Sequence, residues 1–233
     1  MAQGHDGDAL GDVAPALARA ALALARRFAA GGTLWCWAPG AREHAQHVAV
    51  EFVHPVIMGT RALPAVALVD DDPATALRPL ARAGDVLLVI AGDEARVAKV
   101  LHRAEAWGLT TIHLGVGAPP VDRAAEHVLW LSEDPRARVD GRLVLGYHVL
   151  WELTHVCFEH PGLVNDVAEE AEVVCTVCSD EGRLAEVVRI AHDDAQVRTA
   201  QGIETVSTLM VGPVQPGDLV LVHAGTAISV VDR

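Results

Sequence analysis

Between residues 10 and 159 the chain alternates uninterrupted apolar runs with segments of helical composition, and beyond His160-Pro161-Gly162 the alternation stops. That switch constrains the fold more than any other feature. The runs at 33–37, 64–69, 85–90, 111–116 and 127–131 lack a polar-apolar alternation, so as strands they are expected to be buried on both faces. Helical patterns lie around them. An Ala- and Leu-rich helix is expected at 10–32, stopped by Gly31-Gly32, with further helices from Pro39-Gly40 to Val53, at 74–83, at 93–107 and at 138–159. Strand and helix exchanging in this order predict an α/β fold, a doubly wound parallel sheet with helices on both faces.

After residue 162 an acidic stretch with Glu169, Glu170 and Glu172 leads into short β-rich runs at 173–177, 184–191, 195–199, 203–211 and 218–231. Turn residues such as Asp193-Asp194 and Pro216-Gly217 separate them, as in a small closed β-barrel. The expected organisation is therefore two domains, 1–162 and 170–233. With 51% hydrophobic and 21% charged residues, both can bury a core, but only 4% is aromatic, so Ala, Val and Leu must build it.

A formal net charge of −13, from 31 acidic against 18 basic residues, repels nucleic acid and anionic lipid, and neither is expected as a partner. The first residues lack a basic segment followed by an apolar one, and no apolar run reaches about 18 residues, so a cytoplasmic location is expected. In that setting Cys36, Cys157, Cys175 and Cys178 are read as thiols, ligands or reactive groups instead of disulfides.

Two helices concentrate ligand-type side chains. On the second, His44, His47, Glu51 and His54 share one stripe at the helical period; on the last, His148, Glu152 and His155 repeat the device, with Asp140 two turns earlier. Imidazole and carboxylate suit zinc and other first-row divalent ions. Histidines at such spacing also occur simply as partly exposed polar positions.

The string Glu43-His44-Ala45-Gln46-His47-Val48-Ala49-Val50-Glu51-Phe52, followed by Ala62-Leu63-Pro64-Ala65-Val66-Ala67-Leu68, resembles the SIS-domain phosphoheptose isomerases, whose motifs are AQHxxxE and LPAIAL. Gly84-Asp85-Val86-Leu87-Leu88 is similar to that family's strand before its phosphate loop. The resemblance runs over about residues 10 to 160. It implies a three-layer SIS fold and a homo-oligomer. It also implies a zinc site at His47, Glu51 and His148, with Asp140 standing where the family has Gln. In an aldose-ketose isomerase Glu51 and His148 would be the acid/base groups.

Arg42, Gly40, Gly92 and Asp93 mark the two loops that would face a sugar ligand. Both depart from the family. Ala38-Pro39-Gly40-Ala41-Arg42 replaces Gly-Asn-Gly-Gly-Ser, and Ala91-Gly92-Asp93-Glu94-Ala95 replaces Ser-Thr-Ser-Gly-Asn-Ser. Hydroxyls are gone and two carboxylates have entered, which opposes a phosphate dianion.

Cys175-Thr176-Val177-Cys178 is a C-x-x-C that can ligate a metal, form a disulfide or act as a nucleophile; two small strand residues are the plain alternative. Downstream, residues 204–211 and then Gly217-Asp218-Leu219-Val220-Leu221-Val222-His223-Ala224-Gly225-Thr226-Ala227-Ile228 closely resemble the HypC/HupF chaperones of [NiFe]-hydrogenase maturation. That resemblance implies an OB-like barrel. It further implies partners in a HypD-like scaffold and the hydrogenase large-subunit precursor, and transient iron at Cys178 or Cys175. Two functions are thus expected of the chain: a maturation accessory with a SIS-type domain, or a sugar or sugar-phosphate isomerase with an appended interaction module.

Overall fold

The computed structural model describes residues 10–55, 59–134, 141–165 and 182–232. A single 3-10 turn, Gly11–Val13, opens α1 (Ala14–Ala29), so the first helix is shorter than expected at both ends. Its last carbonyls are closed by Gly31 N–H on Phe28 O and Gly32 N–H on Arg27 O, a glycine stop. There follow β1 (Leu34–Trp37), α2 (Arg42–Val53), β2 (Ala65–Leu68) and α3 (Ala74–Leu80). The helix expected to reach residue 83 stops at Leu80, after an internal Pro79, where Ala81 turns to extended backbone. β3 (Val86–Ile90), α4 (Ala95–Ala106), β4 (Thr110–Gly115), β5 (His127–Trp130), α5 (Arg142–Glu159) and the short α6 (Pro161–Asn165) complete this half.

The five strands form one sheet in the order β2-β1-β3-β4-β5, every pairing parallel. Of its interior strands β1 and β3 are apolar without alternation because they are sandwiched, and β4, with Thr110, Thr111 and His113, is buried along its whole length. One face packs on α1, α2 and α5 through Leu24, Phe52, Leu88 and Leu150, and the other on α3 and α4 through Leu77, Leu87, Val97 and Leu101. Asp85 pins the start of the sheet: its buried carboxylate accepts from Thr33 N–H, Arg82 N–H and the Trp35 indole. Three donors satisfy a charge that would otherwise be costly to bury.

The C-terminal half is a closed barrel of β6 (Arg183–Ala191), β7 (Asp194–Thr199), β8 (Gly202–Ser207), β9 (Leu219–His223) and β10 (Thr226–Asp232), in the order β10-β8-β7-β6-β9. Its interior is made of Ala185, Val187, Ala195, Val197, Val206, Val220, Val222 and Ala227, small residues that fit so narrow a barrel. Two expectations are corrected here. The run at 218–231 is two strands, because Ala224 and Gly225 both take positive φ and make a two-residue hairpin. The run at 203–211 ends as strand at Ser207, where Thr208 turns to bond Asp193 O through N–H and hydroxyl. The strand expected at 173–177 lies outside the described residues.

The barrel is fastened to α3 and α4. Glu186, on β6 and only 2% exposed, receives Arg78, Arg103 and the Trp107 indole. Arg103 also bonds Gly217 O, in the turn closed by Asp218 N–H on Gln215 O, and pairs with Asp232, which Lys99 also meets. Leu184 and Leu219 extend the α3–α4 core into the barrel. Glu186→Ala would leave two guanidinium groups and an indole without their shared acceptor. Urea denaturation is expected to show a loss of roughly 3 kcal/mol. Glu204→Ala, which breaks a half-exposed pair with Arg183, is expected to cost under about 1 kcal/mol.

Candidate functional site

α2 buries Ala45, Val48, Ala49 and Phe52, an i, i+3, i+4, i+7 stripe, which turns His44, His47 and Glu51 along its flank toward α5. α5 lies tight on the sheet, since a Cβ at Gly146 would come 2.6 Å from a Leu131 methyl. Trp151 of α5 donates its indole N–H to Glu51 O at 3.0 Å and holds the two helices in register.

The result is one group of ligand atoms. His47, Glu51 and His148 each place an atom within 4.8 Å of the others; no second such group of His, Cys and carboxylate atoms occurs among the described residues. Glu51 Oε1 stands 2.6 Å from His148 Nε2 and 3.2 Å from His47 Nε2. His148 Nδ1 lies 2.6 Å from Val144 O, a pure acceptor, so Nδ1 carries a ring proton and Nε2 faces the carboxylate. Two lone pairs at that distance require a proton or a cation between them. The other carboxylate oxygen, Glu51 Oε2, is buried without a hydrogen-bond partner.

The triad is open on one side, with His47 and His148 side chains 44% and 39% exposed against 17% for Glu51. His44 approaches only the phenol of Tyr147, at 3.5 Å, and His54 caps the end of α2, exposed. His155 is structural: it is buried, with Nδ1 on Trp151 O and Nε2 on Arg61 O, while Glu152 is exposed. Asp140, Cys175 and Cys178 lie outside the described residues. Tyr147 was missed by sequence reasoning, although a lone tyrosine beside His148 in an apolar helix was a visible signal.

β1 and β3 flank the point where strand order reverses, which is where open parallel sheets bind ligands. A small cavity of 160 Å³ sits there, lined by Pro39, Ala41, His44, Ile90, Ala91, Val116 and Leu143. Arg42 and Gly40 are exposed beside it; Gly92 is buried and Asp93 exposed. Glu94 caps α4 without a side-chain hydrogen bond to the helix and pairs with Arg96. Beneath this loop His113 is buried, and burial holds its pKa below the usual histidine range against the carbonyls of Ala91 and Gly92 and the charge of Asp93. Larger clefts of 560 and 430 Å³ lie at the junction with the barrel, away from the triad.

Residues 184–233 match the HupF/HypC family. The HupF/HypC segment therefore begins within β6 and takes in the rest of the barrel, including the Pro216-Gly217 turn gripped by Arg103. The α/β half has the fold of the SIS-type phosphoheptose isomerases. It aligns with the phosphoheptose isomerase from Francisella tularensis at a TM-score of 0.56 and 22% identity, over 64% of this chain and 90% of that one. For the phosphoheptose isomerase from Neisseria gonorrhoeae the TM-score is 0.53 at 22% identity, over 63% and 89%. No curated protein matches the chain. Among the described residues no helix is long and apolar enough to cross a membrane.

Tyr147 offers a direct probe of the site because it is the only tyrosine. Burial, and then the neighbouring Glu51 carboxylate, push its phenol from 10.0 up to about 12. The folded chain keeps a proton that the unfolded chain loses, so stability falls as pH rises through this interval. Phenolate absorbance is expected to titrate well above the value of the urea-unfolded protein; coincident curves would place the phenol in water.

Proposed function

We propose that the protein is an accessory of [NiFe]-hydrogenase maturation, in which a HupF/HypC-type barrel engages the maturation partners and the SIS-type domain carries a divalent-metal site. The observation that carries the reading is the HupF/HypC match over residues 184–233. In this reading Cys178 or Cys175 contacts iron in transit, and a HypD-like scaffold and the hydrogenase large-subunit precursor are the partners. The setting is cytoplasmic, and the SIS-type half self-associates through the helices that carry the site. Exposed Val50 and Leu145, flanking the triad on α2 and α5, support that last point.

Two histidines and a carboxylate with one side open form a ligand set that zinc or another first-row ion accepts. The partnerless Glu51 Oε2 and the inward Nε2 of His148 fit such an ion. The triad would hold it through His47, Glu51 and His148, with Asp140 as a further oxygen donor.

The same triad favours a second reading, a metal-dependent sugar or sugar-phosphate isomerase of the phosphoheptose type. A bound ion would polarise a sugar carbonyl, and Glu51 and His148 are the groups able to take up and return a proton. The loops weigh against phosphorylated substrates. The Ala38–Ala41 turn offers no hydroxyl, and a dianion at the start of α4 would meet Asp93 and Glu94. A nonphosphorylated sugar meets no such repulsion.

Co-purification of tagged full-length chain with a hydrogenase large-subunit precursor separates the readings. The wild type is expected to retain the precursor, and Cys175→Ser/Cys178→Ser to release it, while phosphoheptose isomerisation stays at background. Isomerase turnover abolished by Glu51→Gln, with no precursor retained, would reverse the assignment.

A further inference from the structure

We infer that Tyr147 is a positioning residue that fixes the tautomer of His47, and that His44 completes the arrangement by taking the phenol's own proton. The inference rests on the metal reading of the triad. It concerns a contact outside the ligand set, between helices 100 residues apart in sequence.

A neutral imidazole that offers Nε2 to an ion must carry its proton on Nδ1, and that proton needs an acceptor. His148 satisfies this within its own helix, through Val144 O. His47 has its Nδ1 3.0 Å from the Tyr147 hydroxyl. A phenol oxygen can either accept from Nδ1–H or donate to a bare Nδ1, and the two choices have opposite consequences. Acceptance leaves Nε2 free toward Glu51. Donation places the ring proton on Nε2, where it excludes a cation.

His44 offers an acceptor that favours the first. Its Nδ1 lies 3.5 Å from the same hydroxyl, at the far limit of a hydrogen bond, and gives the phenol proton a destination other than His47. The resulting chain is His47 Nδ1–H to Tyr147 oxygen, then Tyr147 O–H to His44 Nδ1. The phenol is held for the task. Tyr147 is 1% exposed, and its ring packs against the imidazoles of His47 and His148 at 5.3 and 5.1 Å between centroids.

Zinc affinity, measured by competition with a chromogenic chelator, tests the inference without any enzyme assay. Tyr147→Phe is expected to weaken binding roughly 10–100-fold while the ring contacts and thermal unfolding midpoint are kept. His44→Ala is expected to give a smaller loss. In a His47→Ala background Tyr147→Phe is expected to add nothing. Wild-type affinity in Tyr147→Phe, or an equal loss in both backgrounds, would overturn the inference and leave the metal site standing. Absence of zinc binding in the wild type would overturn both. Should Tyr147→Phe fail to fold, proton–nitrogen correlation spectra of zinc-free wild type, where no ion dictates the tautomer, still decide: the proton of neutral His47 is expected on Nδ1, and a proton on Nε2 overturns the inference.

Discussion

The hydrogen bond from the Trp151 indole to Glu51 O, with the packing of α5 on α2 that surrounds it, is what the candidate site depends on. Neither helix contains a site by itself. α2 carries His47 and Glu51 on its flank because Ala45, Val48, Ala49 and Phe52 occupy the sheet side, and α5 brings His148 to them because Gly146 lets it sit close on the sheet. Each apolar contact along this seam thus sets a distance between polar atoms. A shift of one helical residue would rotate His148 by about 100° and dissolve the triad.

The second organising contact is Glu186. A carboxylate at 2% exposure with two guanidinium partners and an indole N–H is a directional anchor, and it orients the barrel on α3 and α4. The triad lies with α2 and α5, on the other face of the sheet. Among the described residues the barrel therefore does not cover the triad. The docking also uses the Gly217 turn, so one of the most recognisable strings of the barrel is engaged in holding the chain together.

Much of this was legible in the sequence where a local rule decides. The strands β1 and β3 are continuous apolar runs, and the helix stripe of α2 is a plain 3.6-residue period. The hairpin inside 218–231 was missed because Leu219–His223 and Thr226–Asp232 are both apolar-rich, and only two left-handed residues separate them. His155 sat at ligand spacing yet proved to be a core histidine, since spacing cannot say that the carbonyls of Trp151 and Arg61 consume both nitrogens. Tyr147 and Glu186 escaped for a further reason. Their roles lie in contacts across 100 and up to 108 residues of sequence, and no periodicity carries that information.

The central claim is that α2 and α5 together make a cation site. Anomalous diffraction at the zinc edge from crystals grown with zinc tests it most directly. The account predicts a single strong peak bounded by His47 Nε2, Glu51 Oε1 and His148 Nε2, absent from His148→Ala crystals. A triad without a peak, its three side chains joined only by hydrogen bonds at saturating zinc, would contradict it.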